Sequence, residues 1–295
     1  RKPRASLPMQ SLGRTTPLLL LLASALALPP TPTQKRRYDL VIYGATGFTG
    51  RLAAEYMESR CRKTTVTWAL AGRNREKLES LAKEIGADDV PLLVADANDA
   101  DAVAAMVGDA RAVANFAGTP FLTKALPVVE ACGRLGTHYV DITGETALHR
   151  ASAARYDAGA KSTGACVVHS CGYDSVPSDL GYLLANDAYR HLHGGRAPSR
   201  ARYVSRSFSG GASGGSIYTG LALFGFADEL FDDDARRLVA ETSGKYPLSD
   251  VCGPDATDTV SFPEWDWLAD AWAMPFIMAG ADAPPVPALR PRRHP

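Results

Sequence analysis

Cysteine is scarce in this chain, and its pattern pairs with nothing. The five residues, Cys61, Cys132, Cys166, Cys171 and Cys252, are odd in number and form no CxxC pair or His/Cys cluster of zinc spacing. The pattern excludes a disulfide framework or zinc module as the organising principle and points to free thiols in a reducing compartment. An excess of one charge is also lacking. The 32 Lys and Arg offset 32 Asp and Glu, so there is no electrostatic case for nucleic acid as the main partner. No acidic residue precedes Asp39. The apolar run Leu18–Leu28 is too short to span a bilayer core of roughly 30 Å as a helix. No internal repeat is apparent.

That run follows Arg1, Lys2, Arg4 and Arg14, and Ala25-Leu26-Ala27 has the small residues of a cleavage site. Residues 1–37 are expected to lie outside the fold as a targeting or disordered segment. Their Ser, Thr and Arg content also suits an organelle transit peptide, such as one for a mitochondrion or plastid. Unpaired cysteines favour an organelle or endomembrane address over export. The alternative is a start at Met9, or a segment that is never made.

The rest is ordinary globular material, 46% hydrophobic and 22% charged, enough for one large or two modest domains. Its organising stretch is Tyr38–Gly50, YDLVIYGATGFTG. Asp39–Tyr43 reads as a buried strand and Arg51–Arg60 as a helix. Gly44, Gly47 and Gly50 between them suit a dinucleotide pyrophosphate. Gly44 permits the turn, Gly47 lets the backbone approach phosphate, and Gly50 lets helix pack on strand. The spacing GxxGxxG departs from GxGxxG, and a loop in another α/β protein is the competing reading. Thr46, Phe48 and Thr49 complete the candidate cradle.

A second strand, Thr64–Ala71, ends at Gly72-Arg73-Asn74. An acidic residue commonly stands here to bind a ribose 2′-hydroxyl. Arg73 instead suits a 2′-phosphate, which implies NADPH/NADP as cofactor; a solvated residue at a helix start is the alternative. Asn74–Gly86 reads as a helix with Asn74 and Gly86 as caps. Val90–Ala95 is a third strand, followed by Asp96, an adenine contact or a helix cap. Asp99–Val107 is a helix and Ala112–Phe116 a fourth strand. Asn115, Ala117 and Gly118 would admit the backbone to the nicotinamide side. A helix at Thr123–Leu135, a strand at His138–Ile142, a helix at Ala147–Thr163 and a strand at Ala165–Ser170 follow. Strands alternating with helices predict a doubly wound parallel sheet, with ligands at the strands' C-terminal ends.

Val176–His191 reads as a helix, and beyond it the character changes. Arg202–Phe208 reads as a strand, Ser209–Ser216 as a Gly/Ser loop, Tyr218–Phe226 as an apolar stretch and Phe231–Val239 as a helix. Trp265, Trp267, Trp272 and Phe276 read first as core of a second domain, with a lipidic cleft or membrane contact as the other reading. The expected organisation is 38–180 for the dinucleotide-binding domain and 181–280 for a smaller α+β substrate or dimerisation domain. The tail 281–295 is expected to be disordered.

YGATGFTG, LAGRNREKL, NFAGTP, HYVDITGE and above all CGYDSVPSDLG resemble the saccharopine dehydrogenase-like oxidoreductases, in the branch of the trans-acting enoyl reductases. The resemblance runs from about Tyr38 to Phe276. It implies an NADP-binding Rossmann domain, an α+β domain that this chain truncates, and a role in lipid metabolism and glycolipid biosynthesis. It further implies a lipid-like small-molecule substrate, a membrane or lipid-droplet surface and a homodimer. It gives no basis for saccharopine itself as substrate. Tyr173, Asp174 and Ser175 are the first candidates for proton donation, with His169, Tyr139 and Glu145 behind them; each is equally a cap or packing residue. Tyr156 and Lys161 are five apart, which discounts the Tyr/Lys pair of the short-chain dehydrogenases. Three readings stay open. They are an NADPH-dependent reductase of an enoyl or carbonyl group, a non-catalytic cofactor-binding protein, and a saccharopine-type dehydrogenase.

Overall fold

The computed structural model describes residues 36–118 and 121–199, a hairpin within 263–273, and isolated positions between them. The sheet strands are β1 (Tyr38–Tyr43), β2 (Trp68–Gly72), β3 (Leu92–Val94), β4 (Ala110–Asn115), β5 (His138–Asp141) and β6 (Val167–Val168). Every neighbouring pair is parallel. The order β3-β2-β1-β4-β5-β6 reverses direction between β1 and β4. That is the doubly wound dinucleotide-binding order, and its crevice opens where the order reverses.

The helices are α1 (Phe48–Cys61), α2 (Arg75–Ile85), α3 (Ala100–Gly108), α4 (Phe121–Lys124), α5 (Leu126–Leu135), α6 (Thr146–Thr163) and α7 (Val176–Leu192). Side-chain alternation along the strands splits the core in two. Val41, Tyr43, Ala69, Ala71, Val113 and Tyr139 pack with Val103, Met106 and Val107 of α3 and with Val128, Val129 and Cys132 of α5. Ile42, Trp68 and Leu70 pack with Ala54 and Met57 of α1 and with Leu78, Leu81 and Ala82 of α2. Both faces of the central strands are therefore buried, as a parallel sheet requires.

Several boundaries differ from the sequence reading, each for a local reason. Arg36 and Arg37 belong to the fold. The Arg36 guanidinium bonds the carbonyls of Val107, Gly108 and Leu135, a cation at the C-terminal ends of α3 and α5. Arg37 pairs with Asp109. β2 begins at Trp68, not Thr64. Thr64 Oγ1 closes the end of α1 on the Cys61 carbonyl, and Thr67 bonds the Asp39 carboxylate. β3 is short, and Pro91 before it has no N–H to donate. The expected helix 123–135 is two helices broken at Ala125, with Pro127 in the first turn of the second. β6 has only two residues. The Cys166 N–H bonds the His138 ring, and Ser170 turns away at φ 59°.

α7 crosses residue 180, where the sequence reading divides the chain, and it buries none of its residues. β7 (Glu264–Asp266) and β8 (Ala271–Ala273) form an antiparallel hairpin with Trp265 opposite Trp272. The core reading of the tryptophans is corrected for two of them: Trp267 is 86% exposed and Trp272 70%. Of Arg202–Phe208 only Tyr203 and Val204 are described, and neither is in a strand. Residues 1–35, Thr119, Pro120, Tyr218–Phe226, Phe276 and 281–295 lie outside the described residues. So do Ser209–Ser216 and Phe231–Val239, single positions aside. Among the described residues no helix is long and apolar enough to cross a membrane.

A Cβ on Gly50 would lie 2.2 Å from the Gly44 carbonyl oxygen and 2.9 Å from Ala45 Cα, both rigid backbone. Gly50→Ala is expected to cost about 1–3 kcal/mol through this overpacking. A Cβ on Gly159, inside α6, meets nothing within 4 Å. Gly159→Ala should gain roughly 0.5–1 kcal/mol of helix propensity. Urea unfolding of the two variants checks the opposite signs.

Candidate functional site

The end of β1 turns at Gly44, whose φ is +81°. A Cβ there would sit 2.4 Å from Ala117 N and 2.6 Å from Ala117 Cα, so the loops after β1 and β4 touch backbone to backbone. Gly47 follows, is exposed and is the N-cap of α1. Its Cβ would meet only the Gly44 carbonyl, at 3.3 Å, and its outer side is open. Among the described residues no side chain caps α1, and its first turn holds no acid. α2 and α3, by contrast, are capped by Asn74 and Asp99. The free N–H groups and positive dipole end of α1 are a fit for pyrophosphate. Thr46 and Phe48 are exposed beside them, Thr49 is half-buried and Gly50 is buried against the turn.

Arg73 lies exposed just past β2 and makes no ion pair among the described residues. Asp96, half-buried just past β3, accepts the Asn98 N–H at 2.9 Å. Both side chains act on Tyr43. Burial and then the Asp96 carboxylate, with Arg73 opposing them, raise that phenol to about 12. A cation and a carboxylate thus flank the end of β1 on the side where an adenosine would lie. The residues present fit an NADP: a dipole and a glycine cradle for the pyrophosphate, and an unpaired guanidinium for the extra phosphate.

The ends of β4, β5 and β6 carry a continuous buried polar chain. The Asn115 carbonyl oxygen accepts the Ala117 N–H at 2.8 Å, and its amide donates to Tyr139 at 2.9 Å. Tyr139 donates to Asp141 Oδ2 at 3.0 Å. His169 Nδ1 lies 2.6 Å from the same oxygen. Asp141 Oδ1 accepts the N–H groups of Thr143 and Ser170 at 3.1 and 3.0 Å. Burial raises the Asp141 carboxyl, but the bonds and charge of His169 and the two N–H groups outweigh it and hold the pKa low. The Ser170 hydroxyl donates to the Thr143 carbonyl at 2.6 Å and lies 2.9 Å from His149 Nε2. His149 stacks on His169 with ring centres 5.2 Å apart. Burial and the charge of His169 push His149 down to about 4.

Sequence reasoning named Asn115 as a cofactor contact, but its side chain is fully buried and spent within the chain. Ala117 and Gly118 carry the loop it holds. Tyr139 is fully buried, and burial raises its phenol well above the usual range. Glu145 is buried at the start of α6. Tyr173, Asp174 and Ser175 occupy the turn before α7, where Tyr173 is exposed and burial raises the Asp174 carboxyl. Asp141 and His149 were not singled out. The signal for Asp141 was available: a carboxylate closing a fully buried strand needs partners. Among the described residues no cluster of His, Cys, Asp and Glu could hold a metal ion.

His149, neutral in the fold to about pH 4, takes up its proton near 6.5 when unfolded. Above pH 6.5 both states are neutral and the residue contributes nothing. As pH falls from 6.5 toward 4 the unfolded state binds the proton first, and stability falls. His138, lowered by burial and Arg111, adds the same sign. Asp174 opposes at the acid end, and Asp141 acts only below its ordinary value. His149→Gln should therefore shallow the loss of stability between pH 6.5 and 4.5. Urea midpoints measured across that range test it, and an unchanged slope would mean His149 is not held neutral.

Residues 40–168 match the family model described as the saccharopine dehydrogenase NADP binding domain. A trans-acting enoyl reductase of Mycobacterium leprae is 45% identical over 148 residues, 50% of this chain and 35% of its own. The trans-acting enoyl reductase of Mycobacterium tuberculosis is 39% identical over 211 residues, 70% of this chain and 49% of its own. The chain spans about half the length of the curated relatives it matches. Among solved structures, apo saccharopine dehydrogenase from Saccharomyces cerevisiae is similar at 16% identity and a TM-score of 0.38, over 53% of this chain and 32% of its own. With its sheet order, glycine turn and relatives taken together, the chain belongs to the saccharopine dehydrogenase NADP-binding family, in the trans-acting enoyl reductase branch.

Proposed function

We propose that this protein is an NADPH-dependent reductase acting on an enoyl or carbonyl group of a lipid-like substrate. The observation that carries the cofactor half is Arg73, an exposed guanidinium without an ion pair among the described residues, beside the glycine turn. Names borne by the mycobacterial relatives support the enoyl half. Exposed Trp267 and Trp272 support an apolar partner.

NADPH, when bound, supplies a hydride. The chain's part is to hold and orient it. The α1 N-terminus and Gly47 take the pyrophosphate, and Arg73 the 2′-phosphate. The Ala117–Gly118 loop, braced by Asn115, would face the nicotinamide side. A proton must reach the second carbon of a reduced double bond, so a polar group at the same sheet edge is required.

Two measurements test the proposal. Oxidation of NADPH with a panel of trans-2-enoyl thioesters and carbonyl compounds should be seen with the full chain; no turnover with any of them counts against it. Arg73→Asp should weaken NADPH binding tenfold to a hundredfold, as expected for a charged contact of roughly 1.5–3 kcal/mol, and leave NADH nearly unchanged. Equal loss for both cofactors would show that Arg73 does not read the 2′-phosphate.

A further inference from the structure

Three described side chains bury a nitrogen without a hydrogen-bond partner, Arg150 Nε, Trp265 Nε1 and His169 Nε2, and only His169 belongs to the polar chain at the ends of β4, β5 and β6. Its side chain is nine-tenths buried, its Nδ1 is committed to Asp141, and its Nε2 has no hydrogen-bond partner among the described residues. A histidine kept for packing has both nitrogens satisfied or one in water. Leaving a buried nitrogen unsatisfied costs about 1–3 kcal/mol, and such groups in native folds call for a reason.

The ring cannot turn to relieve this. Asp141 is held by Tyr139, Thr143 N–H and Ser170 N–H as well as by His169. His149 stacks on one face of His169 at 12° between planes, and Tyr139 meets it edge-on at 5.7 Å. Ser170, next in sequence, is fixed at φ 59° by bonds from its N–H and hydroxyl. A carboxylate on Nδ1 selects the tautomer with the proton there, which leaves Nε2 as the nitrogen that gains and loses a proton.

Two further features suit proton transfer. The Ser170 hydroxyl donates to Thr143, so it accepts from His149, and the network assigns His149 a proton on Nε2. Burial and the charge of His169 hold His149 neutral, so it does not oppose a charge on its neighbour. The polar chain also runs from Asp141 through Tyr139 and Asn115 to Ala117, whose backbone presses on Gly44 of the cofactor turn.

We infer that His169 is the proton donor of the reductase reaction and that Asp141 is its positioning residue. The inference rests on the function proposed above. As the hydride, with two electrons, reaches one carbon of the double bond, the Nε2–H bond of the imidazolium breaks. A C–H bond forms at the other carbon. Neutral imidazole remains, its Nδ1 proton hydrogen-bonded to Asp141, and a water admitted as product leaves returns a proton to Nε2, which is closed to solvent in the resting structure. The titratable groups that face the His169 ring are Asp141 and Tyr139 of β5 and His149 of α6, and Cys171 Sγ lies 3.8 Å from its backbone carbonyl.

The test combines turnover with nitrogen-15 NMR of the full chain. His169→Gln should lower reduction of trans-2-decenoyl coenzyme A at least about a hundredfold, with the NADPH dissociation constant within twofold of wild type. In the wild type the His169 ring should show Nδ1 protonated and Nε2 titrating, with or without NADPH. Asp141→Asn should release that tautomer and shift the limb of the rate–pH profile that reports the donor. Near-wild-type turnover by His169→Gln, or a wild-type ring protonated only on Nε2, would overturn the inference. A wild type that turns over no enoyl or carbonyl compound removes the reductase reading and this role with it. Should Asp141→Asn fail to fold, the wild-type ring signals and the His169→Gln rate still decide.

Discussion

No side chain fits between Gly44 and the peptide joining Phe116 to Ala117. That contact fixes how close the loops after β1 and β4 lie, and with them the width of the crevice where the sheet order reverses. The rest of the nucleotide site is measured from it. The Gly44 carbonyl also bars a side chain at Gly50, so α1 begins at the depth the turn dictates. The N–H groups of its first turn then point where the sheet sends its ligands. Two hydrophobic layers, α1 and α2 on one face and α3 and α5 on the other, hold β1 and β4 in register behind the contact.

Polar burial at the same edge follows a different logic. Apolar packing would have been easier to satisfy at the ends of β4 and β5. Asn115, Tyr139, Asp141 and Thr143 occupy them instead, all essentially without solvent contact. Such a network is favourable only when each member is satisfied. Here every link from Ala117 to Asp141 is made, and the chain ends on a nitrogen without a partner, His169 Nε2. The strain of a positive φ at Ser170 and the shortness of β6 belong to the same compromise, since both residues after β6 turn inward to serve Asp141.

Much of this was legible from the residues. Alternation of short β-branched runs with capped amphipathic segments fixes the sheet's parallel character, and Asn74 and Gly86 cap their helix as their types predict, whereas the next helix is capped by Asp99 and not by Asp96. What local pattern could not reach were features decided by partners distant in sequence. Thr64–Thr67 has strand propensity, but Asp39, 28 residues earlier, takes the Thr67 side chain. Ala165–Ser170 is as apolar as a strand should be, yet Asp141, 28 residues back, claims His169. Tyr139 looks like a donor because its hydroxyl is polar; only the fold shows that hydroxyl inside the sheet. In the tryptophan hairpin the difficulty ran the other way, since apolar size alone does not say which side of a strand meets a core.

The two halves of the site differ in how much they depend on tertiary structure. The cofactor cradle is local: a turn, a helix start and the residue after the neighbouring strand, all within Gly44–Arg73. A sequence can announce it because backbone N–H groups, not side chains from afar, do the binding. The buried polar chain is assembled from the ends of three strands and a helix, and its hydrogen bonds join residues far apart in sequence. His149 is driven neutral by the same burial that keeps Asp141 charged only through its bonds. In this fold the cradle's anion-facing groups are close in sequence and lean on one distant contact, that of Gly44 with Ala117, whereas the Asp141–His169 pair depends on every contact that keeps water out and Asp141 in place.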